Sequence, residues 1–182
     1  MRACEQQGEW SRRLILVAAI ALIVSACSDK GPKPYDTKAD ARADLNTALQ
    51  RARAENKQVL VVFGANWCAD CQALAKQMAA GPVAEYVAQR YIVTKVDVGD
   101  FNKNLDLARQ MGDAVKKGIP AVAVVLADGS FQRATQAGEL ASARKMGDAD
   151  VLAVLDALAR PAARERALKA AMLMPTRRWM QG

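Results

Sequence analysis

The run Gln58–Gly64 (QVLVVFG) passes through Ala65-Asn66-Trp67 directly into Cys68-Ala69-Asp70-Cys71, and from there into a helical pattern reaching Ala80. A short, β-branched apolar stretch of this kind suits a strand buried on both faces. Such a strand needs neighbours beside it and helices over it. The rest of the chain supplies both. Ala41, Leu45, Ala48, Leu49 and Ala52 fall at helical spacing over 40–56. Gly81-Pro82 breaks or kinks the helix after the cysteines, and Val83–Arg90 is helical again. Tyr91–Val98 (YIVTKVDV) is a second strand and Asn104–Met111 a further helix. Gly118-Ile119-Pro120 introduces a strand over Ala121–Leu126, which Asp128-Gly129 turns into Ser130–Gln136. Asp148 is expected to cap a last core helix, with Val151, Leu152, Val154, Leu155 and Leu158 on its apolar face. Crossovers first and a hairpin last give an α/β fold, a mixed sheet flanked by helices.

At 182 residues the chain holds one ordinary domain plus appendages. Its 52% apolar and 25% charged residues exclude wholesale disorder. There is no histidine. That removes the imidazole general base, the Cys–His nucleophile pair, His-containing zinc sites and haem attachment through C-x-x-C-H. The formal charge is +7, but Arg160, Arg164, Arg166, Lys169, Arg177 and Arg178 gather at the C-terminal end against Glu165 alone. A nucleic-acid-binding domain would carry its basic stripe on the folded body, with aromatics interleaved. No nucleic-acid partner is expected. Residues 161–182 read as a basic helical extension, with Leu168, Ala171 and Met172 at helical spacing.

Arg12 and Arg13 precede an eleven-residue apolar run, Leu14 to Val24. A membrane span takes about 20 such residues, so the run has the length of a signal-peptide core. Val24-Ser25-Ala26-Cys27 resembles the bacterial lipoprotein cleavage box. That resemblance implies removal of residues 1–26 as a leader and a diacylglyceryl group on the Cys27 sulfur. The alternative is ordinary secretory cleavage, with Cys27 a free thiol. Acylation would anchor the chain at a membrane. Ser28 after the cysteine favours, by the same resemblance, a periplasmic protein on the outer rather than the inner membrane. Residues 27–39 are polar, with Pro32, Pro34 and Gly31, and read as a flexible tether. With Cys4 in the leader and Cys27 acylated, Cys68 and Cys71 are the thiols that remain.

Two cysteines at a helix start have a mechanical logic. The first lies at the positive end of the peptide dipoles, among unpaired N–H groups that stabilise a thiolate. The second lies one turn inward, within reach of a mixed disulfide on the first. Cys68 is therefore the expected exposed nucleophile and Cys71 the resolving thiol. A four-ligand zinc site lacks two ligands in one chain, though two chains could share one. Two soft thiolates also suit Cu(I). A static disulfide closing so short a loop would stabilise little.

Val59 to Cys71, with Lys95-Val96-Asp97-Val98 and Gly118-Ile119-Pro120 in that order, resembles the thioredoxin superfamily over residues 40–160. The resemblance implies a cis Ile119–Pro120 bond in a loop facing the dithiol. It also implies that Trp67, Ile119 and Pro120 contact an extended client segment. No cofactor is implied beyond a redox-active Cys68–Cys71 disulfide. The activity implied is thiol–disulfide exchange on client proteins in the cell envelope, as reductant or isomerase, with a membrane-embedded thiol reductase as upstream electron donor. A Cu(I)-handling or envelope-assembly module using the dithiol without turnover is the alternative, and a structural surface lipoprotein a third.

The chain departs from the family at two places. The position that often carries a buried acid is Val62, which leaves Lys95 without its usual neighbour and free to favour a thiolate or to reach solvent. Between the cysteines stands Ala69-Asp70. A carboxylate about 6 Å from the Cys68 sulfur would oppose its ionisation by roughly 0.7 kcal/mol in water, and by more in a drier site. Asp70 is thus expected to favour a reducing or intermediate potential. Residues 137–147 are longer than the simplest family members need, an extra loop with no assigned role.

Overall fold

The computed structural model describes residues 33–160. The expected leader over 1–26, the expected acylation site Cys27 and the expected helical tail over 161–182 lie outside the described residues. The elements are α1 (Ala41–Glu55), β1 (Gln58–Gly64), α2 (Ala69–Gln77), α3 (Gly81–Arg90), β2 (Tyr91–Asp97), α4 (Leu105–Gln110), β3 (Ala121–Val125), β4 (Phe131–Ala134), a 3-10 turn (Ala143–Lys145) and α5 (Asp148–Ala159).

The sheet order is β2-β1-β3-β4. β1 runs parallel to β2 and antiparallel to β3, and β3 runs antiparallel to β4. This is the mixed sheet that two crossovers and a terminal hairpin require. Register sorts the apolar side chains cleanly. Val59, Val61 and Phe63 pair with Val125, Ala123 and Ala121, and all six join the core under α1 and α4. Leu60 and Val62 pair with Val124 and Val122, which pack beneath α2, α3 and α5 through Leu74, Val83, Val87, Val151 and Leu155. Because β1 is covered on both faces, its sequence shows a continuous apolar run and no alternation.

Local chemistry sets the boundaries. Asp40 caps α1, its carboxylate accepting from the N–H groups of Arg42 and Ala43. α2 stops at Gln77, short of the expected Ala80, and Gly81 with φ +77° lets α3 start afresh with Pro82 in its first turn. Asp128 makes the hairpin turn, accepting from both the N–H and the hydroxyl of Ser130. The expected cap of α5 is corrected: Gly147 is the N-cap, Asp148 is the first helical residue, and Asp150 accepts from the Gly147 N–H at 3.0 Å. Two acids two positions apart in the first turn each suit the helix start, and the chain's approach selects between them.

Two segments pack more closely than expected. In the described part of the 27–39 stretch, Tyr35 is buried in the core and Lys103 Nζ donates to the Thr37 carbonyl, so residues 33–39 lie on the domain and are not a free tether. In the 137–147 segment, Leu140 and Ala143 are fully buried beneath α2 and α5.

Candidate active site

β1 delivers the chain to the site. After Gly64 a tight turn closes with the Cys68 N–H donating to the Ala65 carbonyl. Cys68 is extended (φ −80°, ψ 110°) and is the N-cap of α2, with its Sγ accepting from the Cys71 N–H at 3.2 Å. The Gln72 N–H bonds the Cys68 carbonyl and opens the helix. Sulfur thus occupies the place where a serine or aspartate oxygen usually caps a helix, and a negative sulfur there meets a free donor and the helix dipole. Cys71 sits one turn inward at a Cα–Cα distance of 5.2 Å, and the two cysteines form a disulfide.

Cys71 is wholly buried and Cys68 retains 7% exposure. Cys68 is therefore the more accessible sulfur but not the openly exposed one that the sequence suggests. Its cover is the loop before β3. Gly118 takes φ +107°, where a side chain would be strained, and Ile119–Pro120 is cis. The Ile119 carbonyl lies 3.7 Å from Cys68 Sγ, where a reduced thiol would donate to it. Ile119 and Pro120 are buried against the site.

Trp67 stands beside the disulfide, 57% exposed, its Nε1–H donating to the Gly99 carbonyl at 3.0 Å. Its ring meets that of Phe101 at 6.2 Å between centroids. Phe101 is itself 42% exposed and held at φ +58°. The indole belongs to the surface, aimed by its one polar atom. Behind Trp67, the Asn66 amide bonds the Tyr35 backbone twice, accepting from its N–H and donating to its carbonyl.

Asp70 does not stand alone. Its Oδ1 accepts the Arg144 N–H at 3.0 Å and pairs with Arg144 Nε at 3.2 Å. The Arg144 N–H, then its guanidinium and the more distant Lys145, hold the Asp70 carboxyl below the usual carboxylate range. The charge that stands alone in the sequence between the two cysteines is therefore answered from the 137–147 segment. Lys95 is the direct register partner of buried Val62 across β1 and β2. The strand pair therefore keeps the family's lysine beside an apolar residue. The nearest carboxylate on the sheet is Asp97, register partner of Gly64, with Lys103 Nζ 3.6 Å from its Oδ2. Burial pushes the neighbouring Tyr35 hydroxyl up from its ordinary range, and the charge of Asp97 adds to the effect.

The structure thus gathers Cys68, Cys71, Trp67, Ile119 and Pro120 at one end of the sheet, with Asp70 turned toward Arg144. Among the described residues no group of three or more His, Cys, Asp or Glu side chains could hold a metal ion. Sequence reasoning missed Phe101, Arg144 and Asn66. An aromatic inside the turn-forming stretch Gly99-Asp100-Phe101-Asn102 is a readable sign of an exposed ring. The partners of Arg144 and Asn66 leave no local mark.

A family model described as thioredoxin-like matches residues 40–127. The crystal structure of a disulphide isomerase from Xylella fastidiosa Temecula1 is 41% identical, with a TM-score of 0.67, and the match covers 71% of this chain and 98% of that one. The oxidised C-terminal domain of DsbD from Neisseria meningitidis is 24% identical over 53% of this chain and 82% of that one, with a TM-score of 0.36. Comparison with curated proteins gives no significant match. With a relative this similar along nearly its whole length, and with the strand, helix-capping dithiol and cis-proline loop in place, the chain belongs to the thioredoxin-like family.

Proposed function

We propose that this protein is a thiol–disulfide oxidoreductase acting on protein disulfides in the cell envelope, as reductant or isomerase, through Cys68 and Cys71. The seat of the Cys68 sulfur carries the reading: it caps α2 on the Cys71 N–H, lies under the Ile119 carbonyl and is bonded to a partner one turn away. In the reduced protein, the Cys68 thiolate attacks one sulfur of a client disulfide, forming a mixed disulfide and expelling a client thiolate. The Cys71 thiolate then attacks Cys68 Sγ, closing the Cys68–Cys71 disulfide and releasing the second client thiolate. Two electrons pass to the client, and each client thiolate takes a proton from solvent. If instead a different client thiolate attacks the client sulfur of the mixed disulfide, Cys68 leaves as a thiolate and the client keeps a rearranged disulfide, with no net electron transfer.

Recharging the pair takes two electrons from a thiol donor, for which a membrane-embedded thiol reductase is the partner proposed. Exposed Trp67 and the backbone of the buried Ile119–Pro120 loop form the client-binding rim, with Asp70 and Lys95 modulating the dithiol. The signal-like leader and Cys27 support a periplasmic protein held on a membrane, with the outer membrane favoured, by lipid on that residue. The similarity to a disulphide isomerase supports the isomerase direction.

The test is a Cys71→Ser trap in intact cells, with the reduced wild-type protein assayed on a disulfide-bonded client. Client disulfides should be reduced or rearranged, and the trap should retain partners joined to Cys68 by a bond that reductant breaks. Tight Cu(I) binding with no exchange and no trapped partner would replace this reading with the metal-handling one.

A further inference from the structure

The 137–147 segment meets the first turn of α2 at Asp70. Arg144 brings two donors to a single oxygen of Asp70, its backbone N–H at 3.0 Å and Nε at 3.2 Å, across 74 residues of chain. The Asp70 side chain is 16% exposed and that of Arg144 59%. The carboxylate is thus mostly withdrawn from water while the guanidinium that answers it remains partly wet. Leu140 and Ala143, fully buried, fix the backbone that presents Arg144. Asp70 lies two residues after Cys68 in the first turn of α2. Its charge is the closest in sequence to the sulfur.

We propose that Arg144 is a positioning residue for the dithiol: it draws the Asp70 carboxylate away from the Cys68 sulfur and offsets its charge, so that reduced Cys68 ionises more readily. The inference rests on the proposed exchange chemistry only in its consequence, since ionisation of Cys68 is a property of this chain alone. Lys145 adds a weaker positive contribution at Asp70 from the same 3-10 turn. Asp97 and Lys103 form their own pair beyond Gly64. Lys95 lies across the sheet beside Val62, and the cis-proline loop, entered through Lys116 and Lys117, offers the Ile119 backbone carbonyl.

The experiment is the pH profile of iodoacetamide alkylation of Cys68 in the reduced, full-length protein carrying Cys71→Ser. It is measured for the parent and for the added substitutions Arg144→Ala, Arg144→Lys and Asp70→Asn. Arg144→Ala keeps the backbone N–H on Asp70 but removes the guanidinium that offsets its charge, and should move the midpoint up by about half a pH unit, roughly threefold slower alkylation below the midpoint. Asp70→Asn leaves Arg144 unbalanced and should move it down by a similar amount. Arg144→Lys should restore most of the parent profile. The opposite signs are decisive, because simple loosening of α2 would move both variants the same way. Shifts of one sign, or none in either variant, overturn the proposal. Client turnover is scored separately on protein retaining both cysteines. Its absence with the opposite shifts intact removes the oxidoreductase reading and leaves the role of Arg144 standing.

Discussion

The backbone N–H of Val122, two residues beyond cis-Pro120, ends on the side-chain hydroxyl of Thr135 at 3.0 Å. The Thr135 N–H returns a bond to the Val122 carbonyl, so the β3–β4 ladder continues past Ala134 with a hydroxyl in place of a strand carbonyl. Both residues are buried, at 0% and 2% exposure. Thr135→Val keeps the shape and deletes the acceptor. It should lower stability by about 1–3 kcal/mol, the usual effect of orphaning a buried donor, whereas Thr135→Ser should stay close to wild type. Urea unfolding of the three proteins checks this. A valine variant as stable as wild type, with the loss confined to the serine variant, would show that the methyl group matters and the hydroxyl does not.

Tyr35 poses the opposite case. Its hydroxyl is buried with no hydrogen-bond partner and lies beside the charge of Asp97. A Cβ at Gly64 would collide with that ring. Tyr35→Phe removes a polar atom that gains nothing, so stability should be unchanged or rise by up to about 1 kcal/mol. Gly64→Ala should lower it by about 1–3 kcal/mol through overpacking. Thermal unfolding midpoints moving down for the first and up for the second would contradict this account of the packing.

These contacts mark what the sequence could carry and what it could not. β1 was legible because its burial on both faces is written in seven consecutive residues. The dithiol at a helix start was legible because the spacing and the N-cap position are local. The cis-proline loop was legible through resemblance, from Gly118-Ile119-Pro120 placed before a strand. Asp70–Arg144 and Asn66–Tyr35 were not, because they join positions 74 and 31 residues apart and depend on how the backbone returns. The near coverage of Cys68 by the Ile119 carbonyl was hidden for the same reason. Gly147 displaced Asp148 as the α5 cap because an acid at either Asp148 or Asp150 satisfies the local rule.

The Asp70–Arg144 contact gives the 3-10 segment an acid limit. In the folded protein the Asp70 carboxyl is held below its ordinary range, first by the Arg144 N–H. The folded state therefore binds fewer protons there than the unfolded chain. The contribution is present above the ordinary carboxylate value of about 3.9 and is lost as pH falls through and below it. Arg144 is largely exposed, so the effect is modest. Protection of the Arg144 amide against hydrogen exchange, corrected for intrinsic rates, should fall about two- to fivefold between roughly pH 6 and pH 3. Protection that stays flat over that range, or rises, would separate the amide from the carboxylate.

Phe101 offers the sharpest division between fold and client binding. A bulky side chain at φ +58° is strained by roughly 1–2 kcal/mol, and here the strained residue holds an exposed ring against Trp67 beside the disulfide. Nothing in the core requires that ring. Phe101→Gly should relieve the backbone and lose one exposed ring contact, leaving the unfolding free energy within about 1 kcal/mol of wild type. On the proposed client rim, the same change removes apolar area that binds a client segment equally before and during exchange. It should raise KM for a disulfide-bonded protein about three- to tenfold with kcat little changed, and leave a small disulfide such as oxidised glutathione unaffected. Steady-state kinetics on both substrates make the comparison. Equal losses on the two would place Phe101 in the chemistry of the dithiol, and no loss on either would remove it from the rim.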